Sequence, residues 1–275
     1  MAFKNINKKT ILITGVTSGL GHYLTNRFYK EKYNLILILK DKNKIKKIKK
    51  IKTNQDQKIL KIVGNISNLK FINSLKNKIK KHFLQIDILI NNAATQKPIG
   101  KFINNNFYVW EKNFYINFFG PIKIIYELIN FLKKRNGLVI NISGGGGTNG
   151  RENFSAYATS KTALIRFSEI LALELKNMGI RINSISPGVM RTGMTSEIIK
   201  AGKKKTGNKE YLLAKKILKK NNTNMKKVFD IINFLSSERG ISINGKILSA
   251  VWDNHENIIK NIKKDNNSYT LRRYI

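Results

Sequence analysis

Tyr157 and Lys161 stand four residues apart in Tyr157-Ala158-Thr159-Ser160-Lys161, a spacing that puts both side chains on one face of a helix. A free phenol has a pKa near ~10 and is a poor acid–base catalyst at neutral pH. A neighbouring cation favours the phenolate and draws that value towards the working range, which suits the pair to proton transfer. A second constellation is Thr14-Gly15-Val16-Thr17-Ser18-Gly19-Leu20-Gly21, set between an apolar run and a helical pattern. Glycines there let the backbone turn tightly and approach a pyrophosphate, while the helix start supplies N–H donors and positive potential. The spacing G-x-x-x-G-x-G is wider at the front than G-x-G-x-x-G, and the strand–turn–helix context marks it as a dinucleotide turn.

The elements that carry these residues follow from periodicity. Apolar runs at 10–14, 35–39, 59–63, 86–90, 138–142 and 180–185 are candidate buried strands, with 243–249 as a possible last one. Helical patterns run from the glycine-rich turn to about 32 and cover about 68–83, 107–134 and 157–177, and the basic run 42–51 also reads as a helix. Short apolar strands alternating with helices predict an α/β fold, a single Rossmann-type doubly wound parallel sheet flanked by helices on both faces. No linker splits residues 1–275; 193–227 reads as Lys-rich helical pieces forming a lid, and 253–275 as a polar C-terminal tail.

Composition narrows the setting. There are no cysteines, which excludes disulfides and thiolate metal sites. The opening residues lack an apolar signal region and no long apolar stretch occurs, so a cytoplasmic protein without a membrane partner is expected. The formal charge is +36. Lys is spread end to end with an excess of Asn and Ile, residues that share A/T-rich codons, and Arg is scarce beside it. This describes a solvated Lys-coated surface rather than a nucleic-acid interface. His22, His82 and His255 have no metal-like spacing, and no metal is expected.

Taken together, the motifs resemble those of the short-chain dehydrogenase/reductase family along nearly the whole chain. TGVTSGLG resembles its nucleotide turn, and Asn91-Asn92-Ala93-Ala94 its NNAG signature, with Asn91 and Ala93 on the adenosine side. Asn117 matches the helix asparagine that holds a water in a proton relay, Tyr157 and Lys161 match the catalytic pair, and Asn65-Ile66 lies where the adenine is approached. Pro187, Gly188, Val189 and Thr192 match a PG segment at the nicotinamide end. The resemblance implies an NAD(P)-dependent oxidoreductase acting on a small carbonyl or alcohol. Tyr157 would exchange the proton, while Lys161 would hold the ribose hydroxyls and depress the Tyr157 pKa.

The pattern departs at one place. The family sets a serine thirteen residues before the tyrosine; here that position is Gly144, preceded by Ser143 in NISGGGG. Ser143 is expected to take the catalytic role, with the alternative that the role passes to a backbone N–H or is lost, leaving a redox-inactive NADP-binding protein of the same fold. For the cofactor, Leu39 occupies the place of an NAD-selective carboxylate and Lys40 follows, which favours NADP; Asp41 keeps NAD open. Family members pair through the tyrosine helix and the one before it, so a homodimer or homotetramer is expected. The face Leu164, Phe167, Leu171 and Leu175 would serve either that contact or the sheet, and the LRRYI ending could cross a neighbour.

Overall fold

Alternating apolar residues on continuous strands need cover on both faces, and the chain supplies it. The computed structural model describes residues 8–219 and 224–272. Its first half runs β1 (Thr10–Thr14), α1 (Gly19–Lys30), β2 (Asn34–Leu39), β3 (Ile59–Val63), α2 (Leu69–Lys80) and β4 (Ile88–Asn91). Then come α3 (Phe107–Phe114), a π-helical turn (Tyr115–Phe119), α4 (Gly120–Lys133), β5 (Leu138–Ile142), α5 (Ser155–Glu174) and β6 (Arg181–Ser186). The remainder is α6 (Gly193–Ala201), α7 (Lys203–Thr206), α8 (Asn208–Lys219), α9 (Asn224–Leu235), β7 (Ile247–Ser249) and α10 (His255–Lys264).

The seven strands form one sheet in the order β3-β2-β1-β4-β5-β6-β7, every pairing parallel. Ile11, Ile13, Leu35, Leu37, Ile88 and Ile90 point to the layer that holds Leu24, Phe28, Ile232 and Ile258. Leu12, Ile36, Ile38 and Leu89 point to the opposite layer, with Ile72, Leu75, Leu128 and Leu132. The expected doubly wound sheet is therefore present. Strand order reverses between β1 and β4, and the crevice beyond their carboxyl ends is where such sheets bind ligands.

Three local expectations change. The basic run is a short 3-10 helix, Lys42–Ile48, capped by Asp41, whose carboxylate accepts from the Asn43 amide at 2.9 Å. The helix expected over 107–134 is interrupted by the π turn, and α4 restarts with Pro121 in its first turn, where a proline needs no N–H partner. The segment 253–275 is not simply a polar tail. Asn254 caps α10, Ile258 is fully buried, and Ile259 and Ile262 pack beside it. Beyond α10, Tyr269 O accepts from Ile247 N at 2.8 Å, which covers the sheet edge at β7. The last three residues of LRRYI, and 220–223 of the expected lid, lie outside the described residues.

Candidate active site

The glycine turn is shaped by its backbone. Gly15 and Gly19 have φ of 73° and 53°, a region that side chains avoid. A Cβ on Gly21 would stand 2.5 Å from Asn92 Nδ2, so helix α1 approaches the β4 loop only because this residue is glycine. Thr14 ties the same place: its hydroxyl accepts from the amides of Asn92 and Ala93, both at 3.0 Å. Asn92 Nδ2 donates back to Thr14 O at 2.9 Å.

A cavity of about 920 Å³ opens above this turn. Its nucleotide end is lined by Gly15, Thr17, Ser18, Gly19 and Leu20, and then by Lys40, Asn65, Ile66 and Ala93. Pro187, Gly188, Val189 and Thr192 close it from β6, while Ser143, Tyr157 and Lys161 form its far end. Four residues expected at the site stand behind the wall instead. Thr14 and Gly21 build the turn as described. Asn91 is buried and donates to Asn141 Oδ1 at 2.8 Å, a tie between β4 and β5; Asn92 is the member of that pair which faces the cavity.

Asn117 is the fourth. Fully buried in the π turn, its Oδ1 accepts from Thr95 N at 2.9 Å, and its Nδ2 donates to Thr95 O at 2.8 Å and to Asn113 Oδ1 at 2.7 Å. Ser160 Oγ donates to Asn113 Oδ1 at 2.8 Å, so this amide cluster locks the π turn onto α5 between Tyr157 and Lys161. The Asn117 carbonyl is in a different position. Its α-helical donor would be residue 121, a proline with no N–H.

Tyr157 sits in the first turns of α5, packed by Phe154, Ile198 and Ala214. Burial pushes its phenol upwards, and the guanidinium of Arg151 acts in the opposite direction. Lys161 Nζ donates to Ile142 O at 2.6 Å at the end of β5, and burial pushes its ammonium down to about 8. Arg151, which the family resemblance does not name, acts on Tyr157 in the direction that the resemblance assigns to Lys161.

The NISGGGG segment departs from expectation as well. Ser143 Oγ is buried and has no hydrogen-bond partner among the described residues, Tyr157 included. A Cβ placed on Gly144 would meet the Tyr157 hydroxyl well inside 3.0 Å. Thus the hydroxyl fills the space a side chain at 144 would need, and no serine from this loop faces it.

Other lining residues were not singled out in the sequence. Lys44 stands beside Lys40; Gln96, Met194, Glu197 and Leu213 line the far end, and Arg151 and Glu210 meet across it. Only Lys44 left a readable trace, four residues from Lys40. The rest come together through loops and α6–α8, whose placement periodicity does not encode.

The comparisons with known proteins agree with this geometry. The model of the short chain dehydrogenase family matches residues 9–203. The chain belongs to the short-chain dehydrogenase family. Members are NAD(P)-dependent oxidoreductases, which is the class of this chain. It is 30% identical over 250 residues to the 3-oxoacyl-[acyl-carrier-protein] reductase FabG of Buchnera aphidicola, covering 89% of this chain and 96% of that protein. It is also 30% identical over 197 residues to the 11-beta-hydroxysteroid dehydrogenase-like 3 protein of Arabidopsis thaliana, covering 70% of this chain but 63% of that protein's length. Among solved structures, a short chain dehydrogenase/reductase of Saccharomyces cerevisiae (YIR035C) superposes with a TM-score of 0.77 at 25% identity, over 88% of this chain and 96% of that one.

Proposed function

We propose that the protein transfers hydride between a nicotinamide dinucleotide and a small carbonyl or alcohol, with Tyr157 as the acid/base and NADP as the preferred cofactor. The observation that carries this reading is the convergence of the glycine turn, Lys161 and the Tyr157 hydroxyl on one cavity. The cavity fits the cofactor: the cradle at Gly15 and Gly19 would be closed by a side chain, and the N-terminus of α1 opens onto it. When bound, the nicotinamide ring supplies or accepts the hydride.

The chain's own residues do the rest. Gly15–Leu20 amides bind the pyrophosphate, and Thr192 and Gly188 close over the nicotinamide end. Lys161 holds ribose hydroxyls, and Tyr157 Oη gives its proton to the substrate oxygen or takes one from it. The Asn117 carbonyl, whose α-helical donor position is occupied by Pro121, would hold a water that resupplies the proton. Ser143 is left out of this chemistry. Residues Met194, Ile198 and Leu213 of α6 and α8 make the apolar part of the substrate wall, and 193–219 acts as the lid. The NADP preference rests on Lys40 and Lys44 at the adenosine end, on buried Leu39 and on Asp41, whose carboxylate is turned to the Asn43 amide. Comparing kcat/KM for NADPH and NADH over a panel of ketones and aldehydes tests both halves; a preference for NADH refutes the cofactor assignment, and no turnover of any carbonyl refutes the reaction.

A homodimer through α4 and α5 belongs to the same reading. Leu164 on α5 and Leu175 just past its end are buried, and Phe167 and Leu171 pack against the layer that holds Leu12 and Leu89, so that face covers the sheet. The outward side shows Ile170 and Leu173 at 47% and 77% exposure and, from the neighbouring helix, Tyr126 at 76%. Exposed apolar side chains on adjoining helices suit a second copy of the chain, and sedimentation distinguishes dimer from monomer. No helix among the described residues is long and apolar enough to cross a membrane; with no cysteine to oxidise, a cytoplasmic setting fits.

A further inference from the structure

Arg151 follows the glycine run and has no place in the reaction scheme above. Its guanidinium lies over the Phe154 ring at 3.8 Å and stands 5.6 Å from the centre of the Tyr157 ring. From the other side Glu210 of α8 holds it with two hydrogen bonds, Nε to Oε1 at 3.0 Å and Nη2 to Oε2 at 2.8 Å. Planar, two-point pairing of this kind fixes a guanidinium in direction as well as distance. Its side chain is 19% exposed and that of Glu210 24%, so water screens the pair only in part.

We propose that Arg151, clamped between Phe154 and Glu210, is a positioning residue for Tyr157, a second fixed cation besides Lys161 whose field favours proton release at the phenol. The inference rests on the assignment of Tyr157 as acid/base. The groups facing the phenol from each packed element support it. Lys161, from α5, is turned to Ile142 O. Glu197, from α6, is 3.8 Å from Lys97, and both line the cavity wall. Glu210, from α8, is bonded to Arg151 rather than to Tyr157. Ile198 and Ala214 supply the apolar remainder. A cation at this range favours the phenolate, in the direction opposite to burial. Glu210 plays two parts with opposite signs: it holds Arg151 in place, and its own negative charge offsets part of the field.

That opposition separates an electrostatic role from a mere tether. The phenolate of Tyr157 is titrated by ultraviolet difference absorbance, each protein being compared with the same protein carrying Tyr157→Phe; no cofactor is needed. Arg151→Met should raise the Tyr157 midpoint by about one pH unit, Arg151→Lys should leave it near the wild-type value, and Glu210→Gln should lower it. A tether alone loosens α8 in both Arg151→Met and Glu210→Gln, and so moves the midpoint the same way or not at all; either result overturns the proposal. Thermal melting checks each variant, and the downward shift in Glu210→Gln stands by itself if Arg151→Met does not fold. Turnover that survives Tyr157→Phe would instead overturn the acid/base assignment, which the titration does not measure.

Discussion

Restoring the serine that the family places opposite its tyrosine should damage this enzyme. In Gly144→Ser the new Cβ falls well inside 3.0 Å of Tyr157 Oη, whereas ordinary contact begins at 3.4 Å. The phenol cannot yield freely, being 8% exposed and packed by Phe154, Ile198 and Ala214. Relief therefore needs a displacement of about 1 Å in either the hydroxyl or the loop, and misplacements of that size cost roughly 100-fold in rate. The accompanying overpacking costs about 1–3 kcal/mol of stability. The assay is the initial rate of NADPH oxidation with a carbonyl that the wild type reduces, alongside thermal melting. Gly144→Ser should lose about two orders of magnitude in kcat and melt earlier. Ser143→Ala, which removes a hydroxyl that makes no hydrogen bond, should stay within a few-fold of wild type. The reasoning is refuted if Gly144→Ser matches or exceeds the wild type, or if Ser143→Ala abolishes turnover.

Further outcomes follow from the same geometry. Lys40→Ala combined with Lys44→Ala should weaken NADPH binding by roughly tenfold or more, since each lost charge contact to a phosphate is worth about 1 kcal/mol, and should leave NADH binding nearly unchanged; fluorescence titration of both cofactors reads this. Lys161 is buried with its ammonium pushed down to about 8, so cofactor affinity should fall as pH rises through about 8, where the charged donor to the ribose is lost. The stability sign is opposite: between about 8 and the ordinary lysine value the unfolded chain binds the extra proton, so folding stability should rise with pH over that window. Melting curves and cofactor titrations from pH 7 to 10 check both directions. Asn91→Leu should destabilise the fold by about 1–3 kcal/mol, because Asn141 Oδ1 is left buried without the Asn91 donor, with a smaller effect on cofactor KM than Asn92→Leu; the reverse order would contradict the placement of the two residues.

Much of this was legible in the residues themselves. Leu35–Leu39 and Leu138–Ile142 are too short and too evenly apolar for anything but strands buried on both sides, and a parallel sheet brings its carboxyl ends, hence Gly15, Tyr157 and Pro187, to one edge without further information. The π turn was hidden because Asn113 and Asn117 read as ordinary polar helix positions, although Gly120-Pro121 marks a helix start. Helix α10 reads as polar because seven of its ten residues are polar or charged, yet Ile258, Ile259 and Ile262 have the spacing of one face. The loop 143–151 was the least readable. Four successive glycines state that the backbone is free, not where it goes, so the orientation of Ser143 and the arrival of Arg151 beside Tyr157 depend on tertiary contacts with α8. Likewise Lys161 and Tyr157 share a helix face, but only the folded strand end shows that Ile142 O takes the ammonium.

The central claim is that hydride passes directly between nicotinamide and substrate while Tyr157 handles the proton. Reduction of a ketone with NADPH carrying deuterium at both nicotinamide C4 positions measures it most directly, by mass spectrometry of the alcohol. The account predicts one deuterium on the product carbon from the wild type and at least a 100-fold slower transfer from Tyr157→Phe, with NADPH still bound. An alcohol that carries no deuterium, or a Tyr157→Phe protein as fast as the wild type, would contradict it.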